Sequence, residues 1–135
     1  MQFKEACTKA AVDSTPLFLY INNYFSDQTF TCQHFEQDVL SNPEIIEALD
    51  SHFISLGISS ESEEGRIIIE QFEMERFPYI ATIFVNENWD FNFLGILDTS
   101  NLNFEAFKEL LETSLKRLEK NYPSREKLSL SPPVK

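Results

Sequence analysis

Two thiols, Cys7 and Cys32, are the groups in this 135-residue chain best suited to covalent chemistry. Exchange through a dithiol needs two cysteines three residues apart at a helix start, one attacking as thiolate and one resolving the mixed disulfide. Around Cys32 the sequence reads Thr29-Phe30-Thr31-Cys32, so the partner thiol is missing at that spacing. Cys32 also shares a helical stripe with Phe35 and Val39, which reads it as a small buried apolar residue. The competing reading is a monothiol function, oxidation sensing or exchange with glutathione. His34 and Asp38 stand one helical turn apart, but Cys32, His34 and His52 lack the spacing of a metal site, so a solvated helix face and no metal are expected. Glu61, Glu63 and Glu64 read as the acid-rich first turn of a helix. A glycine-rich phosphate loop and a GxSxG elbow are both missing, and no cofactor is expected.

The composition narrows the partners. With 22 acidic and 11 basic residues the formal charge is −11, which repels phosphate backbones and anionic lipid headgroups, so no nucleic acid is expected. The longest apolar run is the five residues Leu17 to Ile21, far short of the roughly 18–20 that cross a bilayer. The N-terminus lacks a cationic region followed by an apolar stretch, so a cytoplasmic or nuclear location is expected, with both cysteines reduced. Thirteen phenylalanines and three glycines imply a bulky core with few glycine-dependent turns.

Elements must position these residues. Phe3 to Ala11 favours a helix, ended by the turn signal Asp13-Ser14-Thr15-Pro16. Leu17-Phe18-Leu19-Tyr20-Ile21 suits a central strand covered on both faces. A helix carrying Cys32, Phe35 and Val39 follows, stopping near Ser41, and Asn42-Pro43-Glu44 opens a second helical piece to about Asp50. A strand with Phe53, Ile54, Leu56 and Ile58 comes next, then a helix capped by Ser62. After Phe77-Pro78, the strand Tyr79 to Val85 turns at Asn86-Glu87-Asn88 into a hairpin with Phe91 to Leu97. Asn103 caps a last helix with Phe104, Phe107, Leu111, Leu115 and Leu118 on one stripe. Residues 1–120 are read as one domain and 121–135 as a mobile tail, whose Ser131-Pro132 pair is chemically open to a proline-directed kinase.

This order, an N-terminal helix followed by β-α-β-α-β-β-α with an aromatic-proline pair opening the third strand, resembles the thioredoxin layout. It implies an α/β fold with a mixed four-stranded sheet between helices. Two stretches resemble UAS domains more narrowly. Cys32 to Ser41 followed by Pro43-Glu44-Ile45-Ile46 resembles a helix segment in which "D-V" precedes a short second helix. Ser62-Glu63-Glu64-Gly65-Arg66 with Phe77-Pro78-Tyr79-Ile80 resembles an "S-x-E-G" helix start before an aromatic-proline turn.

The resemblance implies a noncatalytic protein-interaction module of ubiquitin-dependent degradation adaptors, not an enzyme, with ubiquitin-system or AAA-type unfoldase machinery as protein partners. Thr29, Cys32 and Pro78 then become vestigial redox positions: Cys32 matches the resolving cysteine, and Thr29 stands where the nucleophile would be. A threonine forms no mixed disulfide, which leaves dithiol exchange only if Cys7 approaches. The Phe77-Pro78 bond is expected to be cis. The interaction surface would use Tyr24, Phe25, Phe30 and Phe77. Two alternatives stand beside this reading: a monothiol redox enzyme or sensor acting through Cys32, and a fatty-acid-binding or self-associating domain.

Overall fold

Leu17–Asn22 forms β1 and is buried along nearly its whole length, because both faces of the strand are covered. In this computed structural model, residues 2–23, 29–97 and 99–122 are described, with the side chains of Thr29, Phe30 and Asn101 outside that description. The strand partners of β1 are β2 (Ile54–Ser59), parallel, and β3 (Tyr79–Val85), antiparallel. β4 (Phe91–Ile96) pairs antiparallel with β3, giving the sheet order β2-β1-β3-β4. The mixed four-stranded sheet expected from the sequence is therefore the observed one.

The period-two alternation of the strands divides the core between the two faces of the sheet. Leu17, Leu19 and Ile21 of β1 join Ala81, Ile83 and Val85 of β3 on one face. There they meet Ala6, Cys7 and Ala10 of α1 (Phe3–Asp13) and Ile68 of α4 (Glu63–Phe72). On the other face, Phe18 and Tyr20 of β1 and Ile80 of β3 meet Phe35, Val39 and Phe107. Phe35 ends α2 (Thr29–Phe35), and Phe107 belongs to α5 (Phe104–Asn121). Ile45 and Leu49 of α3 (Pro43–His52) complete that cluster. Phe107 holds it together as an aromatic hub, its ring 5.4 Å from those of both Phe18 and Phe35.

Caps fix the helix ends where the sequence places them. Asn42 Oδ1 accepts from Glu44 N at 2.9 Å with Pro43 at the first helical position, and Asn103 Oδ1 accepts from Ala106 N at 2.8 Å. Ser62 Oγ accepts from Gly65 N at 2.9 Å, satisfying a donor that the first turn leaves without a partner. One feature departs from regular helical spacing. After α2 the helix widens into a π-turn, Glu36–Leu40, closed by Ser41 N–H donating to the Glu36 carbonyl at 3.1 Å.

Candidate active site

The β1 strand ends beside the start of β3. Ile21 pairs with Tyr79, and Asn22 is the last strand residue, so Asn23 leaves the sheet at the end where Pro78 enters it. The Phe77–Pro78 peptide is cis, as the aromatic-proline pattern implied. Pro78 is buried, and Phe77 is half-buried against the α1–α4 core. A cleft of about 310 Å³ opens next to Pro78, between Phe72, Met74, Arg76 and Tyr79 on one side and Ile96 and Leu97 on the other.

Cys32 sits in α2 at this same end of the sheet, fully buried, as its stripe with Phe35 and Val39 requires. Its sulfur accepts from the Asn23 N–H at 3.4 Å. Tyr20 Oη donates to Glu36 Oε2 at 2.6 Å and lies 3.4 Å from the Cys32 carbonyl oxygen. Burial in the protein interior pushes the Cys32 thiol pKa up, and the Glu36 carboxylate adds to the rise; the Asn23 N–H and the Tyr20 hydroxyl pull it back down. Desolvation is the largest of these effects, because a thiolate loses more hydration than a thiol does on burial. The site thus pairs a weakly acidic thiol with two hydrogen-bond donors and one acid.

Of the positions read from the sequence, the structure brings Cys32 and Pro78 to one end of the sheet and starts α2 at Thr29. Tyr24 and Phe25 lie outside the described residues, as does the side chain of Phe30. Cys7 offers Cys32 no help. It packs on the opposite face of the sheet with Leu17, Leu19 and Ile21, and both cysteines are free thiols. His34 Nε2 and Asp38 Oδ2 stand 2.9 Å apart on the exposed side of the helix. The residues that sequence reasoning missed are Tyr20, Asn23 and Glu36. A signal existed for two of them: a hydroxyl inside a buried strand needs a partner, and an acid four positions after Cys32 shares its helix face.

Residues 1–85 match the family model described as thioredoxin-like, and the chain belongs to that family. Its fold is similar to the solution structure of a thioredoxin from Thermus thermophilus, at 20% identity and a TM-score of 0.73 over 89% of each chain. It is also similar to DsbH oxidoreductase, at 16% identity and a TM-score of 0.68, covering 86% of this chain and 83% of that one. A disulphide isomerase from Xylella fastidiosa Temecula1 matches at 15% identity and a TM-score of 0.54, over 84% of this chain and 86% of that one.

These findings correct the expected kinship with UAS domains, since the family model and the solved structures are thioredoxin-like. The reading as a noncatalytic adaptor of the ubiquitin pathway falls with it, as does the expectation of no enzyme, because both were implied by that kinship and the family shown is thioredoxin-like. The physical reason is plain in the caps. The stretch from Ser41 to Glu44 surrounds the Asn42 cap, and Ser62-Glu63-Glu64-Gly65 is the cap of α4. Such words mark where elements begin, and a chain with the same element order needs them whatever it binds.

Proposed function

We propose that the chain is a thiol–disulfide exchange protein acting through the single thiol of Cys32. The carrying observation is the seat of that thiol: at the sheet end occupied by cis-Pro78, with its sulfur hydrogen-bonded by the Asn23 N–H, in a member of the thioredoxin-like family. The similar structures named oxidoreductase and disulphide isomerase support the same chemistry.

One thiol limits the reaction to a monothiol route. The substrate class is a mixed disulfide between a protein thiol and a small thiol such as glutathione. Cys32 loses its proton and its sulfur attacks the small-thiol sulfur. A new S–S bond joins Cys32 to the small thiol, and the protein thiolate leaves and takes up a proton. A second small thiol then attacks this adduct, releasing a small-molecule disulfide and regenerating Cys32. One free small thiol is consumed per turnover, and the disulfide bond passes from the mixed disulfide to the small-molecule disulfide with no other oxidant or reductant needed.

The test is turnover of bis(2-hydroxyethyl) disulfide with glutathione. The wild-type chain is expected to exceed the uncatalysed rate, Cys32→Ser to fall to it, and Cys7→Ser to keep activity. Wild-type turnover no greater than that of Cys32→Ser sinks the proposal.

A further inference from the structure

The hairpin joining β3 to β4 turns beyond the Val85–Phe91 pair, at the end of the sheet opposite Cys32 and Pro78. Asn86 locks this turn. Its Oδ1 accepts from Asn88 N at 2.9 Å and from Asp90 N at 3.0 Å, and its Nδ2 donates to Asp90 Oδ2 at 3.0 Å. Trp89 N–H donates to the Asn86 carbonyl at 3.0 Å, and Asn86 N–H donates to the Asp90 carbonyl at 3.3 Å. Glu87, Asn88 and Trp89 thus make a three-residue loop, the form whose last residue is left-handed and ordinarily glycine. Here that residue is Trp89, at φ 65°.

Among the described residues two other non-glycines are left-handed, Ser14 and Glu73, and both end helices, where the conformation is routine. Trp89 lies at no helix end, and a bulky side chain is disfavoured there by its own Cβ. None of the chain's three glycines is placed at positive φ. The indole, the only one in the sequence, remains 42% exposed. Among the described residues it makes no hydrogen bond and stacks on no other ring. A strained backbone position therefore holds out a large aromatic surface on a rigid turn, and strain of this kind is kept where it serves recognition.

We propose that this turn docks an arginine-bearing segment of another protein, the guanidinium stacking on Trp89 and donating to Glu87 and Asp90. Charge selects the occupant. Glu87 and Asp90 are the ionisable side chains of the turn, both exposed, in a chain of net charge −11. An indole face is the best aromatic partner for a cation, and a guanidinium both stacks on it and presents a fork of N–H donors to carboxylates. A choline headgroup offers no N–H, and the acidic surface repels the phosphate beside it. Because the turn is already locked, little order has to be imposed when the partner binds. The surface is separate from the thiol site and does not depend on exchange chemistry.

The test is binding of a fluorescein-labelled tetra-arginine peptide, followed by anisotropy in 0.15 M sodium chloride, where the Debye length is about 8 Å and long-range attraction is screened. The peptide is expected to bind the wild type, and a tetra-citrulline peptide of equal length is not. Trp89→Gly keeps every charge and relaxes the turn, so its Kd should be weaker by about 2- to 30-fold, with a Tm at or above that of the wild type. Cys32→Ser should bind as the wild type does. Equal affinity of the wild type and Trp89→Gly overturns the proposal. So does a fall of more than about 5 °C in the Tm of that variant, since the indole would then be serving the fold. Phosphatidylcholine vesicles that shift the Trp89 fluorescence where the arginine peptide does not would also overturn it.

Discussion

At the residue scale both thiols are weaker acids than a free cysteine, for one dominant reason: their sulfurs are dry. Cys7 has the larger documented effect. Burial, with the Glu64 carboxylate nearby, pushes it from 9.0 up to about 11. Glu64 is held in place by its own contact, its Oε2 accepting from Phe3 N at 2.8 Å. Because the folded pKa lies above the unfolded one, the stabilisation is fully present below about pH 9. It is lost as pH rises towards 11, where the unfolded chain sheds a proton the folded chain retains. A shift of this size is worth roughly 3 kcal/mol by linkage. Urea unfolding is therefore expected to show a midpoint that falls steeply from pH 9 to 11, with a shallower fall in Cys7→Ala. Identical slopes in the two proteins would mean that the Cys7 thiol titrates equally in both states. The residual slope in the variant belongs to Cys32 and Tyr79, which burial raises in the same direction.

At the scale of elements, the junction of β2 and α4 shows how a short word in the sequence is enforced by space. Ser62 Oγ donates to the Ser59 carbonyl at 2.8 Å and accepts from Gly65 N at 2.9 Å. This draws the helix start so close to the strand end that a Cβ on Gly65 would stand 2.0 Å from the Ser59 oxygen. Gly65→Ala must push backbone away from backbone, and a cost of about 1–3 kcal/mol is expected, as for overpacking. Ser62→Ala loses a cap and should cost about 1 kcal/mol. Chemical denaturation checks both, and a Gly65→Ala protein as stable as the wild type would mean that the junction is loose. The same locality explains what was legible beforehand. The continuous run Leu17 to Ile21 identifies the central strand, and the Asn42, Ser62 and Asn103 caps announce three helices, because each signal lies within a few residues of the structure it specifies. The π-turn at Glu36–Leu40 was not legible, since the spacing of Cys32, Phe35 and Val39 fits an ordinary helix equally well. Nor was the contact between Tyr20 and Glu36: it joins residues 16 positions apart, and only the packing of α2 onto β1 brings them together.

At the scale of the whole molecule, the sheet keeps Cys7 and Cys32 apart and so makes Cys32 chemically solitary, while charge governs how firmly the sheet and helices stay together. The ion pairs Lys108–Glu44 and Arg66–Glu61 are solvent-exposed, and pairs of this kind add little to stability. Against them stands an excess of eleven negative charges. A domain of this size has a radius of gyration of roughly 13–15 Å. At 0.01 M salt the Debye length is about 30 Å, so every carboxylate repels every other across the molecule; at 0.15 M it is about 8 Å, and only neighbours interact. The unfolded chain, being more expanded, suffers less from this repulsion, so low salt favours it. Raising sodium chloride from 0.01 to 0.15 M is expected to stabilise the fold by about 1 kcal/mol, seen as a rise of roughly 3–5 °C in Tm. If Tm instead fell over that range, the few exposed pairs would be outweighing the net charge, and the acid-rich surface would be stabilised by local order among its carboxylates and cations.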